Sequence, residues 1–117
     1  MSMMDLEMGQ CVRVVPSRIK AGALEGWLAT HEKHHTPAVR RQPGFVCKLL
    51  LQAEEDEQHV AMLLVWQSSV QATDWTSHPE HDEVSAPLRE FADTSAGRIN
   101  AMPRGGWTVL EAITPQA

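Results

Sequence analysis

Two apolar runs, "FVCKLLLQA" (residues 45–53) and "HVAMLLVW" (residues 59–66), stand on either side of a five-residue connection, "EEDEQ". Each run is the length of a strand and is apolar almost without interruption. A strand that alternates apolar and polar residues has one face in water, whereas a continuous run asks for cover on both faces. The acidic connection reads as a solvated hairpin turn, because the oxygen-ligand spacing of a calcium loop is missing. The pair therefore predicts an antiparallel hairpin inside a sheet that is covered on both sides.

The other elements arrange themselves around that hairpin. "CVRVV" (residues 11–15) is β-branched and runs into Pro16, so it predicts a first strand. From Gly22 to about His35, Leu24, Trp27 and Leu28 recur at helical spacing, and the same stripe extends to His31 and His35. Pro37 lacks an amide donor and disfavours helical geometry at Thr36, so the helix should break there and at best restart as a short turn through Arg41. After Trp66, "SSVQATDW" suits a short helix. Ser77 and Glu80 have capping-box spacing around Pro79, which predicts a longer helix with a stripe of His81, Val84, Leu88 and Phe91 and a kink at Pro87. "NAMPRGG" is a loop, and "WTVLEAI" (residues 107–113) is a last strand.

The order β-α-β-β-α-β, with right-handed crossovers, gives a ferredoxin-like α+β fold: one antiparallel four-stranded sheet with both helices on a single face. The other face still needs a cover. A homodimer in which two such sheets pack together supplies it, since an apolar sheet face of that size does not stay bare in water. The domain is expected over residues 10–113, with an N-terminal arm at 1–9 and a tail at 114–117. In this topology the third strand lies between the first and second, so Cys11 and Cys47 stand about 10 Å apart, two strand spacings, and no disulfide joins them.

Composition narrows the function. Fifteen acidic against ten basic residues give a formal charge of -5, which argues against nucleic-acid binding, where a basic face must displace counterions. No stretch approaches the ~20 apolar residues of a membrane span, and the first residues do not read as a signal peptide. With two cysteines only, the expectation is a cytoplasmic protein with reduced thiols and no membrane partner.

The segments "RRQPGFVCKLLL", "LLVWQSSVQATDW" and "HPEHDEV" resemble the antibiotic-biosynthesis-monooxygenase-like members of the dimeric α/β barrel superfamily. The carriers are Pro43-Gly44-Phe45 leading into the second strand, Trp66-Gln67-Ser68 ending a strand, Trp75, and Pro79-Glu80-His81. The resemblance runs from about Gln10 to Ile113. It implies the dimeric barrel and a choice of activities: oxidation of quinol-like aromatics by O2 without a cofactor, haem degradation, isomerisation, or binding without chemistry. The haem-degrading branch has an Asn on the first strand and an iron-ligating His about ten residues after the Trp. This chain offers Cys11, Arg13 and Val15 on that strand and Ser85 ten residues after Trp75, so haem binding or degradation stands as the alternative.

"HEKHH" (residues 31–35) satisfies the H-E-x-x-H pattern of zinc peptidases. A zinc site needs a third ligand. Ala38 and Arg41 occupy the positions where the extended motif has Gly and His, and the next acids, Glu54 and Glu55, fall in the hairpin turn. His78 and His81 are three apart, again without a third ligand. No metal is expected. These imidazoles read either as helix-end groups satisfied by carbonyls or water, or as the lining of a pocket between helices and sheet. On the second reading His81 or His35 is the base, Arg13 holds an anionic oxygen, and Trp66, Trp75, His31 and His78 bind a small aromatic substrate.

Overall fold

The computed structural model describes residues 6–96 and 105–115. The apolar hairpin forms as the sequence predicts: β2 (Phe45–Ala53) and β3 (His59–Trp66) pair antiparallel. β1 (Cys11–Arg18) lies on the free side of β3, and β4 (Trp107–Ile113) on the free side of β2, giving the order β1-β3-β2-β4. The architecture is the expected α+β, ferredoxin-like one. Cys11 and Cys47 are free thiols on strands separated by β3. β1 does not stop at Pro16 but continues through it to Arg18, with Pro16 opposite Ala61. The proline is tolerated because β1 is an edge strand, where a missing amide removes no central ladder bond.

The helices are α1 (Leu24–Thr30), α2 (Thr36–Arg40), α3 (Ser69–Thr76) and α4 (Pro79–Arg89), and residues 94–96 form one 3-10 turn. Between α1 and α2 the predicted break at Pro37 does not occur. His31–His35 form a π-helical turn instead, and the Thr36 amide bonds five residues back to the His31 carbonyl. Thr36 itself is helical, at φ -57 and ψ -47. The physical reason is that Pro37 cannot donate the next α-type bond, and a widened turn absorbs that loss without abandoning the helix.

The start of α4 also differs from the capping-box expectation. His78, not Ser77, is the N-cap, and its Nδ1 accepts from the Glu80 amide at 3.1 Å. The Glu80 carboxylate is turned away to an ion pair with Arg41. α4 ends two residues beyond Pro87.

The strand register divides the sheet into two faces. Arg13, Leu64, Lys48 and Ile113 form one row facing the helices, and Val15, Met62, Leu50 and Glu111 the next. On this face Phe45, Leu64, Trp66, Trp75 and Val84 make one cluster with Ala38 and Val39 of α2; Ile19, Trp27, Leu50 and Val60 make a second, and Met62 packs against both. Truncating a buried tryptophan here is expected to cost about 3–5 kcal/mol. The opposite face is apolar as well: Cys47, Ala61 and Val65 are buried, while Val12, Val14 and Val109 are 51%, 40% and 53% exposed. Residues 1–5 of the predicted arm, residues 97–104, which take in 100–104 of the predicted "NAMPRGG" loop, and residues 116–117 of the tail lie outside the described residues.

Candidate functional site

Lys48 is the one charge in the run "FVCKLLLQA", and the alternation of β2 aims it at the helices. The π-turn lies above it. Lys48 is fully buried, and its Nζ lies 2.9 Å from His31 Nδ1 and 2.8 Å from His35 Nδ1 and donates to Thr36 Oγ1 at 2.9 Å. The two histidines of the H-E-x-x-H pattern thus close on an ammonium of the chain itself. Burial pushes the Lys48 pKa down to about 7, opposed by the Glu111 carboxylate. Burial, and then the Lys48 charge, push His31 and His35 to about 2. Imidazoles with so low a pKa are neutral at physiological pH and are feeble bases.

Beside this cluster, a cavity lies between the sheet and the helices in two lobes that meet at Val15, Met62 and His81. One lobe, about 290 Å³, is lined by Trp27, His31, Ser17, Ser85, Leu88 and Arg89, among others. The second, about 260 Å³, is lined by Arg13, Leu64, Trp66, Ala72, Trp75 and Thr76. The indoles of Trp66 and Trp75 are 6.5 Å apart, centre to centre. His81 stands edge-on to Trp75 at 5.5 Å, with its Nδ1 3.2 Å from Asp82 Oδ1. Arg13 reaches Thr73 Oγ1 at 3.3 Å and Cys11 Sγ at 3.4 Å, and among the described residues it has no carboxylate partner. Its row neighbour Leu64 separates it from Lys48, about 10 Å away as two strand spacings.

The cavity therefore brings together five of the seven residues singled out from the sequence: His81, Arg13, Trp66, Trp75 and His31. The other two lie apart from it. His35 is enclosed between Lys48 and Trp75, with no partner at Nε2 among the described residues, and does not line either lobe. His78 stacks on the far side of Trp75 at 5.9 Å and opens into a separate hollow with Gln42, Pro43, Gln71 and Asp74. Sequence reading passed over Lys48 and Thr36. The signal for Lys48 was available: a single lysine amid an otherwise apolar two-faced strand has nowhere to go but inward. Thr36 carried no such signal, because its position depends on the π-turn.

The fold and the cavity define a ferredoxin-like α+β domain with a small-molecule-sized hollow between sheet and helices. Residues 12–86 match the family model described as antibiotic biosynthesis monooxygenase, and the chain belongs to that family. Membership points to a monooxygenase-like or small-molecule-binding function. Two crystal structures share the fold. One is a conserved protein from Methanosarcina mazei Go1, 12% identical, with a TM-score of 0.64 over 93% of this chain and 95% of that one. The other is a candidate antibiotic biosynthesis monooxygenase from Chloroflexus aurantiacus J-10-fl, 14% identical, with a TM-score of 0.56 over 92% and 94%. At such identities the likeness speaks for the fold alone. A comparison with curated protein sequences gives no match. No helix among the described residues is long and apolar enough to cross a membrane.

Proposed function

We propose that the chain is a cofactor-independent monooxygenase that oxidises a small electron-rich aromatic or quinol with O2. The observation that carries this reading is that the imidazole of His81 and the guanidinium of Arg13, which has no carboxylate partner among the described residues, line one hollow walled by Trp66 and Trp75. Triplet oxygen reacts slowly with closed-shell molecules, but a deprotonated aromatic gives it one electron readily. The protein then needs to supply a base, a group that steadies the anion, and a site from which water is largely excluded. His81 takes the substrate proton, Arg13 holds the anionic oxygen, and the indoles hold the ring. Where the reacting carbon is a methylene between aromatic rings, CH2 + O2 gives C=O + H2O. The substrate then furnishes every electron, and no co-reductant is required.

Haem fits these residues poorly. The position ten after Trp75 is Ser85, β1 has no Asn, and His78 spends its Nδ1 on the α4 cap. A homodimer joined through the apolar second face agrees with the exposure of Val12, Val14 and Val109. Val14→Asp should therefore convert a dimeric sedimentation profile to a monomeric one, and a wild type that sediments as a monomer at micromolar concentration would remove this part of the proposal.

The decisive assay is O2 uptake by the purified chain over a panel of anthrones, quinols and dihydroxyaromatics. Uptake by the wild type and its loss in His81→Ala is the expected result. Tight binding of such compounds without uptake would instead make the chain a binding protein, and a sharp Soret band on haemin titration, lost in His81→Ala, would make it a haem protein.

A further inference from the structure

We propose that Lys48 is a positioning residue that holds His31 and His35 in their Nε2–H tautomers, so that His31 presents a hydrogen-bond donor, not a base, to the cavity. The functional half of this inference rests on the cavity being a substrate site; the tautomer half does not.

The geometry is a matter of counting protons. An ammonium has three N–H donors and no lone pair. Lys48 Nζ has three partners at 2.8 to 2.9 Å: two imidazole Nδ1 atoms and the Thr36 hydroxyl. All three donors are used, so each Nδ1 is an acceptor, and the single proton of each neutral ring sits on Nε2. When Lys48 is a neutral amine it has two donors and one lone pair. Thr36 is the partner that adapts, since its hydroxyl can turn and donate to that lone pair while both imidazoles go on accepting. A ring flipped to Nδ1–H could also serve the amine, but for His35 it would leave a bare acceptor at Nε2, where no donor is present among the described residues and Trp75 stands perpendicular at 6.0 Å. As an N–H, the same atom can rest against an indole. The His35 tautomer therefore survives the loss of the Lys48 proton, and His31 keeps its own because Thr36 is the partner that turns. The ionisable groups that surround the Lys48 ammonium are His31 and His35 from the π-turn, Glu111 from β4, and His81 from α4 beyond His35.

His31 carries this arrangement into the cavity. It lines the same lobe as His81, Ser17 and Ser85. A fixed N–H with an ammonium behind it is suited to an acceptor oxygen, whether a carbonyl or an oxyanion. The two histidines thus take opposite parts: His81 removes the proton, and His31 receives the lone pair of a phenolate or quinone-type oxygen. The ligand class this selects is an aromatic with a hydrogen-bond-accepting oxygen, and it disfavours one that offers only donors at that point.

Long-range proton–nitrogen NMR on the full chain with ¹⁵N-labelled histidine tests the assignment at pH 5.5, 7 and 8.5. Two of the six histidines should keep an unprotonated Nδ1 and a protonated Nε2 at all three values. Either ring with a protonated Nδ1, or either ring becoming imidazolium above pH 5.5, overturns the proposal. In Lys48→Met, with backbone spectra unchanged elsewhere, the single-tautomer pattern should give way to mixtures in fast exchange, and its persistence would show that Lys48 does not impose it. These spectra require no turnover. A chain inactive in O2 uptake but with the locked tautomers would lose the oxidation and retain the positioning role.

Discussion

Two histidine pairs at helical spacing, His31 with His35 and His78 with His81, do opposite things. The first pair is buried and shares one ammonium, so its rings are neutral and their protons are held on one side. The second pair flanks the Trp75 indole at the N-terminal end of α4: His78 caps the helix, and His81 opens into the cavity. Spacing alone makes the first pair look like the chemical one, because it carries the peptidase pattern. Burial and the neighbouring charge reverse that judgement, since they leave His31 and His35 feeble bases.

The largest test of this contrast is the pH dependence of stability. His31 and His35 have folded pKa values of about 2 against 6.5 for ordinary imidazoles. Between those values the unfolded chain binds more protons, so stability falls as the pH drops below about 6.5. The loss is up to ~1.4 kcal/mol per pH unit for each ring. Lys48 has the same sign at higher pH: with a folded value of about 7 against 10.5, it adds stability as the pH rises from 7 to 10. Urea midpoints should climb from pH 4 to 10 in the wild type. In Lys48→Met the climb from 8 to 10 should flatten. A wild-type midpoint that does not move between pH 6 and 4 breaks the comparison at its buried end.

The second effect is on turnover. Removing a general base is expected to cost ~10²–10⁴-fold in kcat/KM. For His81→Ala that loss should appear in O2 uptake with any accepted substrate, while His78→Ala should stay within about twofold of wild type. Equal losses in the two variants would mean that both rings serve the chemistry and that the hollow beside His78 belongs to the site.

Much of this was legible before any coordinates. The hairpin was, because two uninterrupted apolar runs around an acidic turn have few alternatives, and the register of that hairpin then decides which residues face the helices. Arg13 and Trp66 follow from strand alternation and His81 from the stripe of α4, whereas Trp75, on α3, comes from the family resemblance. What escaped was local competition. Pro37 predicts a break, yet the backbone keeps its hydrogen bonds by widening one turn. Ser77 has the better capping chemistry by type, but His78 reaches the Glu80 amide first and Arg41 holds the Glu80 carboxylate. Lys48 was overlooked for a different reason: its surroundings come from a helix 13 to 17 residues away in sequence, and a strand pattern says only that the side chain points inward.

Thr36 offers a finer test of the buried pair. Thr36→Val preserves shape and deletes the hydroxyl that serves Lys48 in both protonation states. At pH 6, where the ammonium dominates, one buried charged donor is left without a partner, at a cost of about 1–3 kcal/mol. At pH 9 the neutral amine lacks only a donor to its lone pair, and the deficit should shrink to about 1 kcal/mol or less. Urea midpoints of wild type and variant at the two values give the difference. An equal deficit at both would mean that the hydroxyl contributes packing alone.

The smallest effect concerns His78, and it separates structure from chemistry within the second pair. A side chain that caps a helix is typically worth about 1 kcal/mol, and an imidazole Nδ1 is a weaker cap than a carboxylate. His78→Ala should therefore lower stability by up to about 1 kcal/mol. His78→Asp should recover most of that, because a carboxylate accepts from the same first-turn amides and is favoured by the helix dipole. Since Trp75 stacks on His78, some of the loss could instead come from that face, and aspartate would not restore it. Recovery in His78→Asp with unchanged O2 uptake assigns His78 to the cap. Failure to recover assigns it to the wall that holds Trp75 against the cavity, and the two members of the pair would then be joined through one indole.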